Sequence, residues 1–375
     1  MPESLNSTLS DLQSRTAALC QDVLVPLAAR VHSGELPRAV ALAEVREAAK
    51  SAGLFGLTQP AEFGGRPGGP LALTLVRDTL ASFNNPLSGA VLGPGPGVLA
   101  DCRPELKDTH LAPLLAGEKR AAFAITEPAD ASKHTWAERD GTDLLVSGVK
   151  SYVTGGAEAD FVNTLVELEG AGRTLVVIDR HSPGVHLVER FESLDGSHHA
   201  VLRFDQVRIP ETRILGKPGE GMPRSMGQIG DTRLAIAAQA TGLARWTLGF
   251  LNEQLSAPHR SGQPLGDREG VRLRYADLRI QAYAMRSMLY RTARLAEAGN
   301  NIRNEGMACK IFATETLGRI VDDGIQLSGG QALSLSHPLA QLYQRVRAWR
   351  IAEGANDVLR INLARGALEF GLGEI

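Results

Sequence analysis

The feature that most constrains this 375-residue chain is a change of texture near residue 120 that reverses a hundred residues later. Residues 5–117 carry apolar side chains every three to four positions, as in LSDLQSRTAALCQDVLVPLAARV and PRAVALAEVREAAKSAGLFGL, with Gly-rich breaks such as EFGGRPGGP. That spacing predicts helices. The runs AAFAIT, DLLVSGVKSYVTG, DFVNTLVELEG, RTLVVID, VHLVERF and AVLRFDQVRIP are short and β-rich, and Asp140-Gly141 is a hairpin signal. From Asp231 onward the helical period returns in DTRLAIAAQATGLARWTLGFLNEQL, REGVRLRYADLRIQAYAMRSMLYRTARLAEAG and RNEGMACKIFATETLGRIVDDGIQLSG. The chain is therefore expected to hold a helical domain at 1–119, a β domain at 120–222 and a helical bundle at 223–375. About 100 residues suffice for a small barrel or a sandwich, and a prior of ~150 residues per domain agrees with two or three domains.

Composition removes several function classes. The formal net charge is −2, so no field favours nucleic acid or an anionic membrane. The three cysteines, Cys20, Cys102 and Cys309, are odd in number and far apart, as expected of a reducing cytosol. The polar start MPESLNSTLSD does not read as a signal peptide, and no run reaches the ~18 apolar residues a membrane span needs. A soluble, cytoplasmic protein is expected. His198-His199 is the one adjacent histidine pair, and with no companion ligands no metal site is predicted. The stretches GPGPG and GKPGEGM join no strand to a helix and read as turns.

One joint stands out, RIAEGANDVLR at 350–360. Asn356 is expected to cap a helix, Asp357 lies in its first turn, and Val358, Ile361, Leu363 and Leu368 continue it. Glu353 then sits just before a helix start, followed by Gly354, whose missing Cβ admits close approach. Such a glutamate is either a solvated residue of a connection or a base at the mouth of a pocket. Three more stretches carry polar groups at element ends: Thr126-Glu127-Pro128, the strand KSYVTGG with Tyr152 and Thr154 on one face, and QLSGG at a helix end.

In this order, TEPADASK, KSYVT, QLSGG and AEGANDVLR resemble the TEPGxGSD-like, KxWIT-like, QxxGG and YEGTxxxxR-like segments of the acyl-CoA dehydrogenase family. RIPETRILGKPGEGM and GQPLGDREGVRLRYADL are similar too, so the resemblance spans nearly the whole chain. It implies an α+β fold with an N-terminal helical domain, a middle β-barrel and a C-terminal four-helix bundle. It also implies an FAD flavoprotein that dehydrogenates an acyl-CoA thioester, with Glu353 as base and electron-transfer flavoprotein as acceptor. By the same resemblance Thr126, Ser132, Tyr152 and Thr154 contact FAD, with Gln326, Gly329 and Gly330 reaching it from a second subunit of a homodimer or homotetramer. Arg233 and Gly354 match substrate-side positions, and Thr232 stands where some members carry their base.

Several positions depart from the pattern. Ala129, Ala131 and Lys133 replace two glycines and an aspartate, and Pro258 replaces an arginine that reaches the partner's FAD, leaving Arg260 as the nearby substitute. Ala355 and Ala352 replace the usual Thr after, and the bulky aromatic before, the Glu-Gly pair. These changes leave open an oxidase or dehydrogenase acting on an acyl-carrier-protein thioester, and a catalytically idle relative that binds flavin or acyl-CoA.

Overall fold

The computed structural model describes residues 4–260 and 262–371. Helix α1 (Ser7–Leu19) starts where the Asn6 side chain accepts a 2.9 Å bond from the Leu9 amide, one of the orphan donors of a first turn. A wider turn at Cys20–Leu24 leads to α2 (Val25–His32), followed by α3 (Arg38–Ser51) and α4 (Pro70–Ala81). Short α5 (Pro104–Leu106) and α6 (Ala112–Ala116) precede the strands. After the sheet come three long helices, α7 (Gly221–Ser256), α8 (Glu269–Glu297) and α9 (Arg303–Ser328), and two shorter ones, α10 (Pro338–Arg347) and α11 (Asn356–Phe370).

By contacts the chain forms two compact units, one of Met1–Leu57, Arg66–Leu92 and Gly230–Ile375, the other of Thr58–Gly65 and Gly93–Ile229. Helices from both ends of the chain therefore share one unit, while residues 93–119 pack with the strands.

The reason for the first grouping is visible at Asp78 on α4. Its carboxylate is fully buried and accepts from Arg245 of α7 at 3.0 Å, and from Arg286 at 3.2 Å and Tyr290 at 2.8 Å on α8. Burial, and then the Asp78 charge, push the Tyr290 phenol up, so it stays a donor. Gly242 lets α7 come close, since a Cβ there would strike the Asp78 carbonyl and Ala81. Around this contact Leu71 and Leu75 of α4 join Leu243, Leu251, Leu289, Leu317 and Ile320 in one core.

The second unit holds strands β1 (Ala121–Ala124), β2 (Trp136–Asp140), β3 (Asp143–Thr154), β4 (Phe161–Leu168), β5 (Gly172–Asp179), β6 (Val185–Glu192), β7 (His198–Pro210) and β8 (Ile214–Leu215). They form one sheet in the order β6-β7-β3-β2-β4-β5-β8, with β1 parallel to β4. The path runs from β6 to β8 without closing, which corrects the expected barrel to an open sheet. The β2–β3 hairpin turns at Gly141, whose φ of +65° suits glycine. Strands β4 and β5 are buried on both faces. Val162, Val166, Val176 and Ile178 enter one core, while Phe161, Leu165, Leu175 and Val177 meet Leu106, Leu111 and Leu115 in another. That is why FVNTLVEL places apolar residues on both faces instead of alternating strictly with polar ones.

Replacing Asp78 with Asn leaves two guanidinium groups facing a neutral amide. Since both arginines keep some solvent, the expected loss is about 2–3 kcal/mol, below the usual figure for a severed buried pair. A denaturant midpoint that falls at constant slope would register it.

Candidate active site

Glu353 lies in the turn between α10 and α11, and it is one of the few non-glycine residues with positive φ, +55°. Gly354 follows at +98°. Two successive left-handed residues do not persist unless their surroundings hold them. Two cations do so. Arg233 of α7 donates through Nε to the Glu353 carbonyl at 3.0 Å, and Lys310 of α9 donates to the Gly354 carbonyl at 3.0 Å. Lys310 is 0% exposed and also reaches Asn356 Oδ1 at 2.9 Å.

Asn356 is therefore not the cap the sequence suggested. The N-cap position belongs to Ala355, with no side-chain bond, and Asn356 is the first helical residue. Its oxygen accepts from Lys310, while its amide donates to Thr314 at 3.0 Å and Glu315 at 3.2 Å. A buried ammonium outcompetes the helix N–H groups for the asparagine oxygen because charge-assisted bonds are stronger. The close approach expected at Gly354 comes from the chain itself, with Leu359 3.1 Å and Arg233 3.4 Å from where a Cβ would stand.

Because both cations bind backbone oxygens, the Glu353 carboxylate is left without a hydrogen bond or ion pair among the described residues. Burial pushes its pKa up, against the pull of Arg233 and Lys310. Burial, and then the Arg233 charge, bring Lys310 down to about 8. Among the described residues no acceptor takes the Glu353 N–H either, so a proton acceptor and a free amide donor belong to one residue.

In the other unit, Tyr152 and Thr154 are exposed on β3 while Ser151 and Val153 point inward. The pairing with β7 slips between Lys150 and Val153, and Tyr152 takes φ +53°. Tyr152 is 64% exposed, and its ring stands edge-on to Phe191 at 5.2 Å and His199 at 6.1 Å. An exposed aromatic face beside a strand hydroxyl fits one side of a planar heteroaromatic ring.

Thr126 is held beside this strand, its carbonyl accepting from the Ser151 amide at 2.9 Å. The anchor is Lys150, 0% exposed, which donates to the Ile125 carbonyl at 2.9 Å and to Glu127 at 2.8 Å. Burial would raise Glu127, but bonds from Lys150, His134 and the Thr135 amide hold it at about 2. Ser132 lies exposed in the following loop, where Lys133 covers the Trp136 ring.

Gln326, Gly329 and Gly330 are exposed at the end of α9. Gly329 has φ +74°, and neither glycine would meet an atom within 4 Å on gaining a Cβ, so the backbone is open to a ligand. Ser328 ties this end to Gln254 of α7 at 2.7 Å. Arg260 is exposed in the loop after α7.

The structure thus brings Glu353, Gly354 and Arg233 together, and separately Thr126, Tyr152 and Thr154. Sequence reasoning missed Lys310 and the bracing role of Lys150 on Glu127. The signal was a lysine interrupting an apolar run, in GMACKIFAT and SGVKSYV.

Two family models match the chain: acyl-CoA dehydrogenase, N-terminal domain, over residues 6–118, and acyl-CoA dehydrogenase, C-terminal domain, over residues 219–368. An acyl-CoA dehydrogenase of Bacillus subtilis is 28% identical over 329 residues, covering 84% of this chain and 86% of that one. An acryloyl-CoA reductase (NADH) of Anaerotignum propionicum is 27% identical over 334 residues, covering 84% of each. Among solved structures, a probable acyl-CoA dehydrogenase from Mycobacterium abscessus matches with a TM-score of 0.84 and 26% identity, over 96% of this chain and 98% of that one.

Deprotonation of Lys310 supplies a pH test. Between its folded pKa of about 8 and the ordinary 10.5, the unfolded chain binds more protons at this residue than the folded one. Its contribution to stability therefore rises with pH across that window. Lys310→Met should lack the rise, seen as a denaturant midpoint difference between parent and variant that changes from pH 7.5 to 10.5.

Proposed function

Because the chain belongs to the acyl-CoA dehydrogenase family, whose members are FAD-dependent oxidoreductases, we propose that it dehydrogenates an acyl-CoA thioester between Cα and Cβ, with Glu353 removing the α-proton. The observation that carries this reading is the Glu353 turn. A carboxylate lifted by burial and held by no partner is closer to the range a general base needs than a solvated one. Its backbone is anchored by Arg233 and Lys310, so the carboxylate keeps its place while its charge changes.

A thioester α-proton is too weakly acidic for an unassisted carboxylate. The unsatisfied Glu353 amide answers this by donating to the thioester oxygen, where charge develops as the proton leaves. FAD, when bound, supplies the acceptor for the hydride from Cβ. The residues proposed to hold it are Thr126, Ser132, Tyr152 and Thr154, with Gln326, Gly329, Gly330 and Arg260 serving a second subunit. Gly354 lets Leu359 and Arg233 close on the turn, and Arg233 serves the substrate side through the turn it anchors. A homodimer or homotetramer is supported by Leu273, Ile280 and Tyr283, exposed along one helix, α8. Electron-transfer flavoprotein is the proposed electron acceptor.

Glu353→Gln should retain the fold and the flavin and lose ~10²–10⁴-fold or more in turnover. Steady-state rates on an acyl-CoA, with the flavin spectrum as control, decide it. Parental turnover would remove Glu353 from the role of base.

The protein is expected to purify with less than a full complement of flavin, because Pro258 stands where the family pattern has an arginine that reaches phosphate or adenine-side groups of the partner's FAD. Arg260→Ala should weaken binding by a further ~1.5–3 kcal/mol, about ten- to hundredfold. Titration of the apoprotein with FAD gives the comparison.

A further inference from the structure

On β7, His199 stands directly opposite Thr154 of β3 and Phe191 of β6. Its Nδ1 lies 3.2 Å from the Thr154 hydroxyl and its Nε2 3.0 Å from the Ser197 hydroxyl, which is 2.6 Å from Asp195 Oδ1. The Ser197 amide also donates to that oxygen at 3.1 Å. Direction follows from donor counting. The Ser197 proton goes to Asp195, so Ser197 accepts from His199 Nε2–H, and bare Nδ1 accepts the Thr154 proton.

We propose that His199 is a positioning residue for Thr154, holding its hydroxyl as an outward hydrogen-bond acceptor through the relay Asp195–Ser197–His199. This rests on the reading that Thr154 faces the flavin. Flavin N5 can donate a hydrogen bond only after reduction, so an acceptor at Thr154 favours the reduced cofactor.

The charged and titratable groups around His199 are Asp195 in the turn, Tyr152 on β3, its neighbour His198, and Glu189, Arg190 and Glu192 on β6. Arg190 is tied to Glu158 at 2.8 Å. Phe191 stacks tilted against the imidazole at 5.4 Å and limits its rotation.

The test is the midpoint potential of the FAD-loaded protein, measured by reductive titration without substrate at one fixed pH. His199→Phe keeps the aromatic bulk and cuts the relay. It should shift the balance of reduced over oxidised flavin affinity roughly tenfold, lowering the potential by ~30 mV for a two-electron couple. In a Thr154→Val background His199→Phe should add nothing. If Thr154→Val shifts the potential and His199→Phe does not, the relay is overturned. If Thr154→Val changes neither potential nor flavin absorption, the placement of Thr154 fails instead, and the relay with it. Should His199→Phe not retain flavin, Ser197→Ala cuts the relay one bond further out and must shift the potential in the same direction, or the proposal falls.

Discussion

Asp78 ties together parts of the chain that lie more than 160 residues apart. A carboxylate with no exposure is tolerable only when donors surround it, and here they come from two different helices, α7 and α8. A second tie lies two turns back on α4. There the Leu71 amide, one of the unsatisfied donors of a first turn, is taken by Glu297 from the far end of α8 at 3.1 Å. Two anchors seven residues apart fix α4 against α8 in both position and rotation, and Gly242 permits the close crossing with α7. A one-turn slip would leave the carboxylate buried without donors, so the register of the unit is set by electrostatics as well as by its leucines.

The same economy of charge recurs within each unit. Lys150 and Lys310 are both fully buried, in different units, and each binds one backbone carbonyl and one side-chain oxygen. Each braces a segment beside a non-glycine residue of positive φ, Tyr152 in one case and Glu353 in the other. A backbone that would otherwise relax is kept in place by an interaction too costly to break in a dry interior. Because Arg233 and Lys310 are engaged with carbonyls, neither forms an ion pair with Glu353, and that leaves a carboxylate lifted by burial rather than neutralised by a partner.

Family membership accounts for the order of elements, and the departures from the family pattern find local explanations. Lys133, in place of an aspartate, lies on the Trp136 ring rather than reaching outward. Ala355 sits at the N-cap without a hydroxyl, and the helix start is secured instead through Lys310 and Asn356. His199, part of a pair with no metal companions in the sequence, forms hydrogen bonds on both ring nitrogens beside the exposed face of β3.

Much of this was legible in the sequence because it depends on near neighbours. Helical and strand texture, the turn at Asp140-Gly141, the glycine end of α9 and the position of Glu353 just before a helix all follow from residues within a few positions of one another. What the tertiary structure decided depends on partners that spacing does not specify. The sheet stays open because β6 and β8 find no pairing with each other, a matter of strand order rather than strand propensity. Asn356 had the composition of a cap, yet a lysine 46 residues away on α9 claimed its oxygen. Local rules name the groups a residue offers; which partner accepts them is settled only when the chain has brought buried charges and unsatisfied carbonyls within hydrogen-bonding distance.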